Sequence, residues 1–266
     1  MTHDHKPMTH SLLLVGCGKM GGALLARWKT TFPNYRFDVI EPNSTQWHKN
    51  LGALPDNYTP GVIVFAVKPQ QLDAILPAYC KRFGSHSPLY ISIAAGKNLA
   101  FYADHLGAHA HVVRVMPNTP ALVGQSMSVL SAADTLPASM RNTATQLMEA
   151  VGKVEWLDDE SLMDAVTALS GSGPAYVFLF LDSLVKGGIA AGLPENIAKT
   201  LALQTVSGSL ALAAGSHENL GQLRQNVTSP GGTTEAALKV LMSNNMLENM
   251  MKEAVLAATK RSKELL

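Results

Sequence analysis

Short runs of consecutive apolar residues alternate with helical patterns through the first half of the chain. Leu12–Val15 is the first run, and it ends at a cluster of glycines. Arg36–Ile40, Val62–Val67, Leu89–Ile93 and Val112–Met116 follow, then Ser126–Leu130 and Val154–Leu157. Helical spacing occupies Leu24–Trp28, Gln70–Tyr79 and Ala138–Ala150 between them. A run that is apolar at every position suits a strand buried on both faces. The pattern therefore predicts an α/β fold, with a parallel sheet between two layers of helices.

The pattern changes near Asp158. Beyond it the sequence predicts helices only. Asp159 or Ser161 caps Leu162–Leu169, Pro174 opens a long helix ending near Gly192, and Pro194 opens Glu195–Ala214. Thr233 or Thr234 caps Glu235–Met242, and Leu247–Leu266 closes the chain. The expected division is an α/β domain over residues 11–158 and an all-α domain over residues 159–266.

Composition narrows the function classes. The 266 residues carry 21 Lys+Arg against 20 Asp+Glu, a net charge of +1. No basic excess exists to neutralise phosphates, so no nucleic-acid partner is expected. Charged residues make up 15% and apolar residues 47%, which excludes a disordered chain and predicts subunit association. Cys17 and Cys80 are the two cysteines, too few for a disulfide framework, and a reducing cytoplasm fits. The first residues are polar, without the apolar core of a secretory signal. The strongest apolar stretch, Ala175–Leu181, is interrupted by Asp182 and Lys186, short of the roughly 20 residues that span a bilayer. No membrane partner is expected. His3, His5 and His10 read as a tail rather than a metal tract, and no metal site is expected.

Gly16-Cys17-Gly18-Lys19-Met20-Gly21 is a G-x-G-x-x-G between the first strand and the first helix. The first glycine permits a tight turn, the second lets the backbone approach a pyrophosphate, and the third lets helix and strand pack closely. The phosphates then meet the helix N-terminus. Glu41, at the end of the second strand, lies about 20 residues further on. A carboxylate there accepts bonds from ribose hydroxyls and repels a 2′-phosphate, favouring NAD over NADP. A solvated glutamate after a strand is the competing reading. Cys17 fills a variable slot of the loop.

Four further motifs occur in order: Ala66-Val67-Lys68-Pro69-Gln70, Arg114-Val115-Met116-Pro117-Asn118-Thr119-Pro120, Leu169-Ser170-Gly171-Ser172-Gly173-Pro174-Ala175-Tyr176 and Ser229-Pro230-Gly231-Gly232-Thr233-Thr234. Together they resemble the pyrroline-5-carboxylate reductase family, from about Leu12 to the C-terminus. The resemblance implies reduction of the cyclic imine 1-pyrroline-5-carboxylate to L-proline, the last step of proline biosynthesis, with NADPH or NADH. It implies an N-terminal Rossmann-type domain and an all-α C-terminal dimerisation domain, assembled as a homodimer or a pentamer of dimers. By the same resemblance Ala66, Val67, Lys68 and Pro69, Ile93, Ala94 and Ala95, Asn57 and Asn226 line the cofactor. The loop Ser229–Thr234 holds the substrate, and Glu160 is an acidic residue near it. Glu41 stands where a small or basic residue often accompanies NADPH.

Read as chemistry, Gly231, Gly232, Thr233 and Thr234 precede a helix, so their amides can converge on a substrate carboxylate. Ser229 can add a hydroxyl, and Thr234 can hydrogen-bond the ring nitrogen. A threonine hydroxyl is too weak an acid to protonate that nitrogen alone. The imine is therefore expected to react already protonated, or with water as proton source. Glu160 either stabilises the iminium or favours a helix dipole. Lys68 either attracts cofactor phosphates or ends a strand in solvent, and Arg114, inside an apolar strand, reads as structural. A β-hydroxyacid dehydrogenase is the main alternative, but Val177 and Leu181 stand where that class needs Lys and Asn. Reduction of another cyclic imine carboxylate also stays open, because one methylene is worth only about 1–3 kcal/mol in a pocket. A dinucleotide-sensing protein without turnover would not need the Thr234 loop, which is present.

Overall fold

The computed structural model describes residues 11–265, so His3, His5 and His10 lie outside the described residues. A seven-stranded sheet has the order β2-β1-β3-β4-β5-β6-β7. Its strands are β1 (Ser11–Val15), β2 (Arg36–Ile40), β3 (Val62–Phe65), β4 (Leu89–Ser92), β5 (His111–Met116), β6 (Ser126–Ala132) and β7 (Gly152–Trp156). The first five pair in parallel, as the uniformly apolar runs predict.

β6 departs from the expected all-parallel sheet. It runs antiparallel to β5, while β7 is parallel to β6. The reason is the short link: only a 3₁₀ turn, Thr119–Val123, separates β5 from β6, and a parallel return needs a crossover of a dozen residues or more. β7 is the outer strand, and its residues alternate between half-buried and exposed.

Successive side chains of β1 enter opposite layers. Leu12 and Leu14 pack with Trp28 of α1 (Lys19–Thr31) and Leu147 of α4 (Ala138–Glu149). Leu13 and Val15 pack with Leu72 and Leu76 of α2 (Pro69–Phe83) and Tyr102 of α3 (Leu99–Leu106). The Trp28 indole N–H donates to the Leu147 carbonyl at 2.6 Å, tying the first layer together. The sequence pattern missed α3, whose eight residues make about two turns.

After β7 the chain is helical. The N-cap is Asp159, whose carboxylate accepts the Ser161 amide at 2.9 Å. α5 (Met163–Val166) passes into a π-turn, Thr167–Gly171. Then come α6 (Gly173–Ala190), α7 (Glu195–Gly215), α8 (Leu220–Asn226), α9 (Thr233–Leu241) and α10 (Met246–Lys263). α8 was not anticipated. α9 begins at Thr233 with Gly232 at the cap, so neither threonine caps it.

Packing groups the chain through Ser172 with the segment from Ala258 as one compact unit, and Gly173–Ala257 as another. In the second unit, α6 buries none of its residues and α7 buries only Ala198 and Ala202. Phe178 and Leu179 of α6 are 65% and 67% exposed. By length and composition alone, Glu160–Ala190 and Glu195–Gly215 are long and apolar enough to cross a membrane. This corrects the expectation that Asp182 and Lys186 cut the stretch short. They pair across one helical turn, Lys186 Nζ to Asp182 Oδ2 at 2.6 Å, and the helix runs through them.

Candidate functional site

The sheet order reverses between β1 and β3, because β2 lies to one side of β1 and β3 to the other. Ligands of open α/β sheets bind in the crevice at the carboxyl ends of strands flanking such a point. Four segments meet that edge: Gly16–Gly21 after β1, Glu41 after β2, Ala66–Pro69 after β3 and Ile93–Ala95 after β4. Backbone bonds lace the edge, from Gly16 N to Ile40 O (2.8 Å), Ala66 N to Val15 O (2.8 Å) and Ile93 N to Phe65 O (3.1 Å).

The glycine loop fits a dinucleotide. Gly16 has φ +90°, and a Cβ there would lie 2.8 Å from the Ala66 carbonyl. A Cβ on Gly21 would lie 2.5 Å from the Gly16 carbonyl, so helix and turn touch. A Cβ on Gly18, at the α1 cap, would meet nothing within 4 Å, and this open face is where a pyrophosphate can approach. The amides of Lys19, Met20 and Gly21 donate to no acceptor among the described residues, since Gly22 makes the first helical bond, to Gly18.

Glu41 is oriented towards the loop. Its Oε2 accepts the Cys17 amide at 2.8 Å, and its Oε1 accepts the Asn43 amide at 3.4 Å. A solvated role is thereby set aside. Burial, and then the Glu41 charge, push the Cys17 thiol pKa up. Lys68 is the exposed N-cap of α2, with Pro69 at the first helical position. Its amide donates to Gln71 Oε1 at 3.3 Å.

Asn57 does not join this edge. It precedes β3 and lines a shallow recess with Ser11 and Arg36, the first residues of β1 and β2. That places it at the amino end of the sheet, about 13 Å of strand from the glycine loop. A cavity of about 230 Å³ beside α3 and the start of β5 also lies away from the loop. Its lining is mostly alanine and leucine, without convergent polar groups.

Glu160 braces three elements through one carboxylate oxygen. Its Oε1 accepts the Leu99 amide at 2.7 Å and a short bond from Arg114 Nη1. The Arg114 side chain is 8% exposed. The pair brackets β5, α3 and the turn after β7 through Oε1. Asn118 is a second bracket: Oδ1 accepts the Met127 amide at 2.9 Å, and Nδ2 donates to the Ser170 carbonyl at 3.2 Å.

In the other unit, the Ser229–Thr234 loop turns through Gly231, at φ +73°. The Gly232 amide donates to the Ser229 carbonyl at 3.1 Å. The Gly231 amide is already taken, by Glu235 Oε2 at 2.6 Å. That bond, and then Lys239, hold the Glu235 carboxyl below its ordinary range. The sequence reading missed Glu235, although Glu three residues after a helix cap is a recognisable capping signal. The amides of Thr233 and Thr234 are the donors left open, and no protein group among the described residues engages the Thr234 hydroxyl. Asn226 ends α8 and is held within its own segment. Its Nδ2 donates to Glu218 Oε2 and its Oδ1 accepts from Gln222, both at 2.9 Å.

A doubly wound sheet carrying a G-x-G-x-x-G turn with a carboxylate directed at it, followed by a helical region, defines a Rossmann-type dinucleotide-dependent oxidoreductase. A family profile described as pyrroline-5-carboxylate reductase dimerisation matches residues 160–265. The pyrroline-5-carboxylate reductase of a Synechocystis species is 40% identical over 97% of this chain and 99% of its own. A solved pyrroline-5-carboxylate reductase from Coxiella burnetii superposes with a TM-score of 0.88 at 32% identity, covering 97% of this chain and 99% of that one. The Plasmodium falciparum enzyme, solved with NADP bound, gives 0.81 at 30% identity, covering 96% and 97%. The chain belongs to the pyrroline-5-carboxylate reductase family.

Proposed function

We propose that this protein reduces 1-pyrroline-5-carboxylate to L-proline with a reduced nicotinamide dinucleotide. Family membership supplies the reaction. The observation that carries the cofactor is the convergence of the glycine loop, Glu41, Ala66–Pro69 and Ile93–Ala95 at one sheet edge. When bound, the nicotinamide supplies the hydride, and the protein's part is to position and polarise. The amides of Lys19, Met20 and Gly21 hold the pyrophosphate. In the other unit, the amides of Thr233 and Thr234 take the substrate carboxylate, the Thr234 hydroxyl takes the ring nitrogen, and Ser229 adds a polar contact. Glu160 braces the sheet-edge turns through its Oε1, and the imine reacts protonated or takes its proton from water.

Glu41 favours NADH. Its carboxylate occupies the Cys17 amide, and a 2′-phosphate entering there would meet a like charge and a donor already used. Residues 11–158 are the dinucleotide domain, and residues 159–266 the helical substrate and dimerisation domain. The exposed apolar faces of α6 and α7 are then subunit contacts of a cytoplasmic homodimer or a pentamer of dimers, not lipid contacts.

Steady-state oxidation of NADH and NADPH with pyrroline-5-carboxylate is the test. Turnover with a higher kcat/KM for NADH is expected, and Glu41→Ser shifts the ratio towards NADPH. No turnover with either cofactor would reject the reading.

A further inference from the structure

The turn that follows β4 is braced from three directions. Ile93, Ala94, Ala95, Gly96 and Lys97 lead from β4 into α3, whose cap Asn98 accepts the Phe101 amide at 2.8 Å. From inside, Ser92 Oγ accepts the Ala94 amide at 3.3 Å and bonds the Tyr102 hydroxyl at 2.5 Å. From the turn after β7, Glu160 holds the Leu99 amide. The third brace is the segment after α10, at Leu265.

Gly96 has φ +74°, and a Cβ there would lie 3.0 Å from the Leu265 carbonyl oxygen and 3.3 Å from the Leu265 Cβ. Leu265 therefore packs directly on the glycine's Cα. It is held there from the last turn of α10. Ser262 is 5% exposed, and its hydroxyl donates to Asp164 Oδ1 at 2.6 Å. The Leu265 amide turns back to the Ser262 carbonyl at 3.1 Å, closing the helix end over the turn. These residues all belong to one compact unit, the one that contains the sheet.

We propose that the last turns of the chain, Ala258–Leu265, are a positioning element of the dinucleotide site, holding the Ile93–Gly96 turn in place through the Gly96–Leu265 contact and the Ser262–Asp164 bond. The proposal rests on the reading that this turn lines the cofactor. Ser262 does not touch the cofactor edge. Losing its hydroxyl leaves Asp164 without that donor and frees the end of α10, and the turn then loses one of its three braces. Gly96 acts at the contact itself. Any side chain there must adopt a left-handed backbone and displace Leu265.

The test compares the full-length protein with Ser262→Ala, Asp164→Asn and Gly96→Ala. It measures equilibrium NADH affinity by fluorescence titration, KM for the imine and the thermal midpoint. Ser262→Ala and Gly96→Ala are expected to weaken NADH roughly 2- to 30-fold, the span of coupling changes produced by supporting residues. Asp164→Asn keeps an acceptor for Ser262 and should bind NADH like the wild type. KM for the imine at saturating NADH should stay near its wild-type value. A lowered midpoint with unchanged NADH affinity in Ser262→Ala would overturn the proposal, leaving the tail a purely structural contact. If Gly96→Ala does not fold, Ser262→Ala decides alone. Wild-type protein that binds no NADH would instead reject the dinucleotide reading, and this proposal with it.

Discussion

Thr234 and the Arg114–Glu160 pair show what one side chain can decide. The Thr234 hydroxyl has no protein partner among the described residues, so it is free to bond a ligand. Thr234→Val keeps the shape and removes only the hydroxyl. Hydrogen bonds to charged groups are worth about 1.5–3 kcal/mol, so kcat/KM should fall roughly 10- to 100-fold in steady-state assays, with NADH affinity unchanged. Wild-type kcat/KM would mean that the amides alone hold the substrate. The Arg114–Glu160 pair predicts a stability effect instead. Arg114→Leu leaves a partly buried carboxylate with one bond in place of two, and breaking a buried pair costs about 3–5 kcal/mol. For a chain of this size, each kcal/mol moves the midpoint by about 2–4 °C, so calorimetry should show a drop on the order of 10 °C. The sequence placed Arg114 correctly in a strand but could not pair it with Glu160. The two lie 46 residues apart, and no local pattern links them.

At the scale of elements, the β6–β7 ladder depends on Gly152. Its φ is +152°, and a Cβ there would fall 2.1 Å from the Ser126 carbonyl oxygen and 2.4 Å from the Ser126 amide nitrogen. Gly152→Ala must therefore shift the start of β7 or break its register with β6. A loss of about 2–3 kcal/mol is expected in denaturant unfolding, with early hydrogen exchange confined to β6 and β7. The parallel strands were legible because a run such as Val62–Phe65 is apolar at every position. The direction of β6 was not read from its composition, because an apolar run looks the same in either sense. α3 escaped for a related reason. Eight residues carry too few turns for a period to stand out, and what secures α3 is tertiary, through Tyr102 on Ser92 and Leu99 on Glu160.

For the whole molecule, the unsolved surface in one chain is the apolar exterior of α6 and α7. A single copy leaves Phe178, Leu179, Leu201, Leu203, Leu210 and Leu212 exposed, and large apolar side chains gathered on two helices mark a protein–protein contact. Light scattering at low micromolar concentration should report at least two protomers of 28.4 kDa each, and Leu179→Glu should shift the species towards monomer with loss of activity. A monomer that retains full activity would remove this expectation.

Sequence alone determined the alternation of strands and helices, the phosphate loop with its three glycines, the acidic residue 20 positions on, and the order of the motifs that mark the family. All of these are local, written in spacing and residue type. Tertiary structure alone decided which polar groups remain available. Glu160 Oε1 is taken by Arg114 and Leu99, the Gly231 amide by Glu235, Asn226 is bonded to Gln222 and Glu218, and Asn57 lies at the far end of the sheet. It also brought Leu265 onto Gly96. Hydrogen-bond satisfaction is a property of neighbours in space, and a carboxylate or amide reads the same in the sequence whether its partners are free or taken.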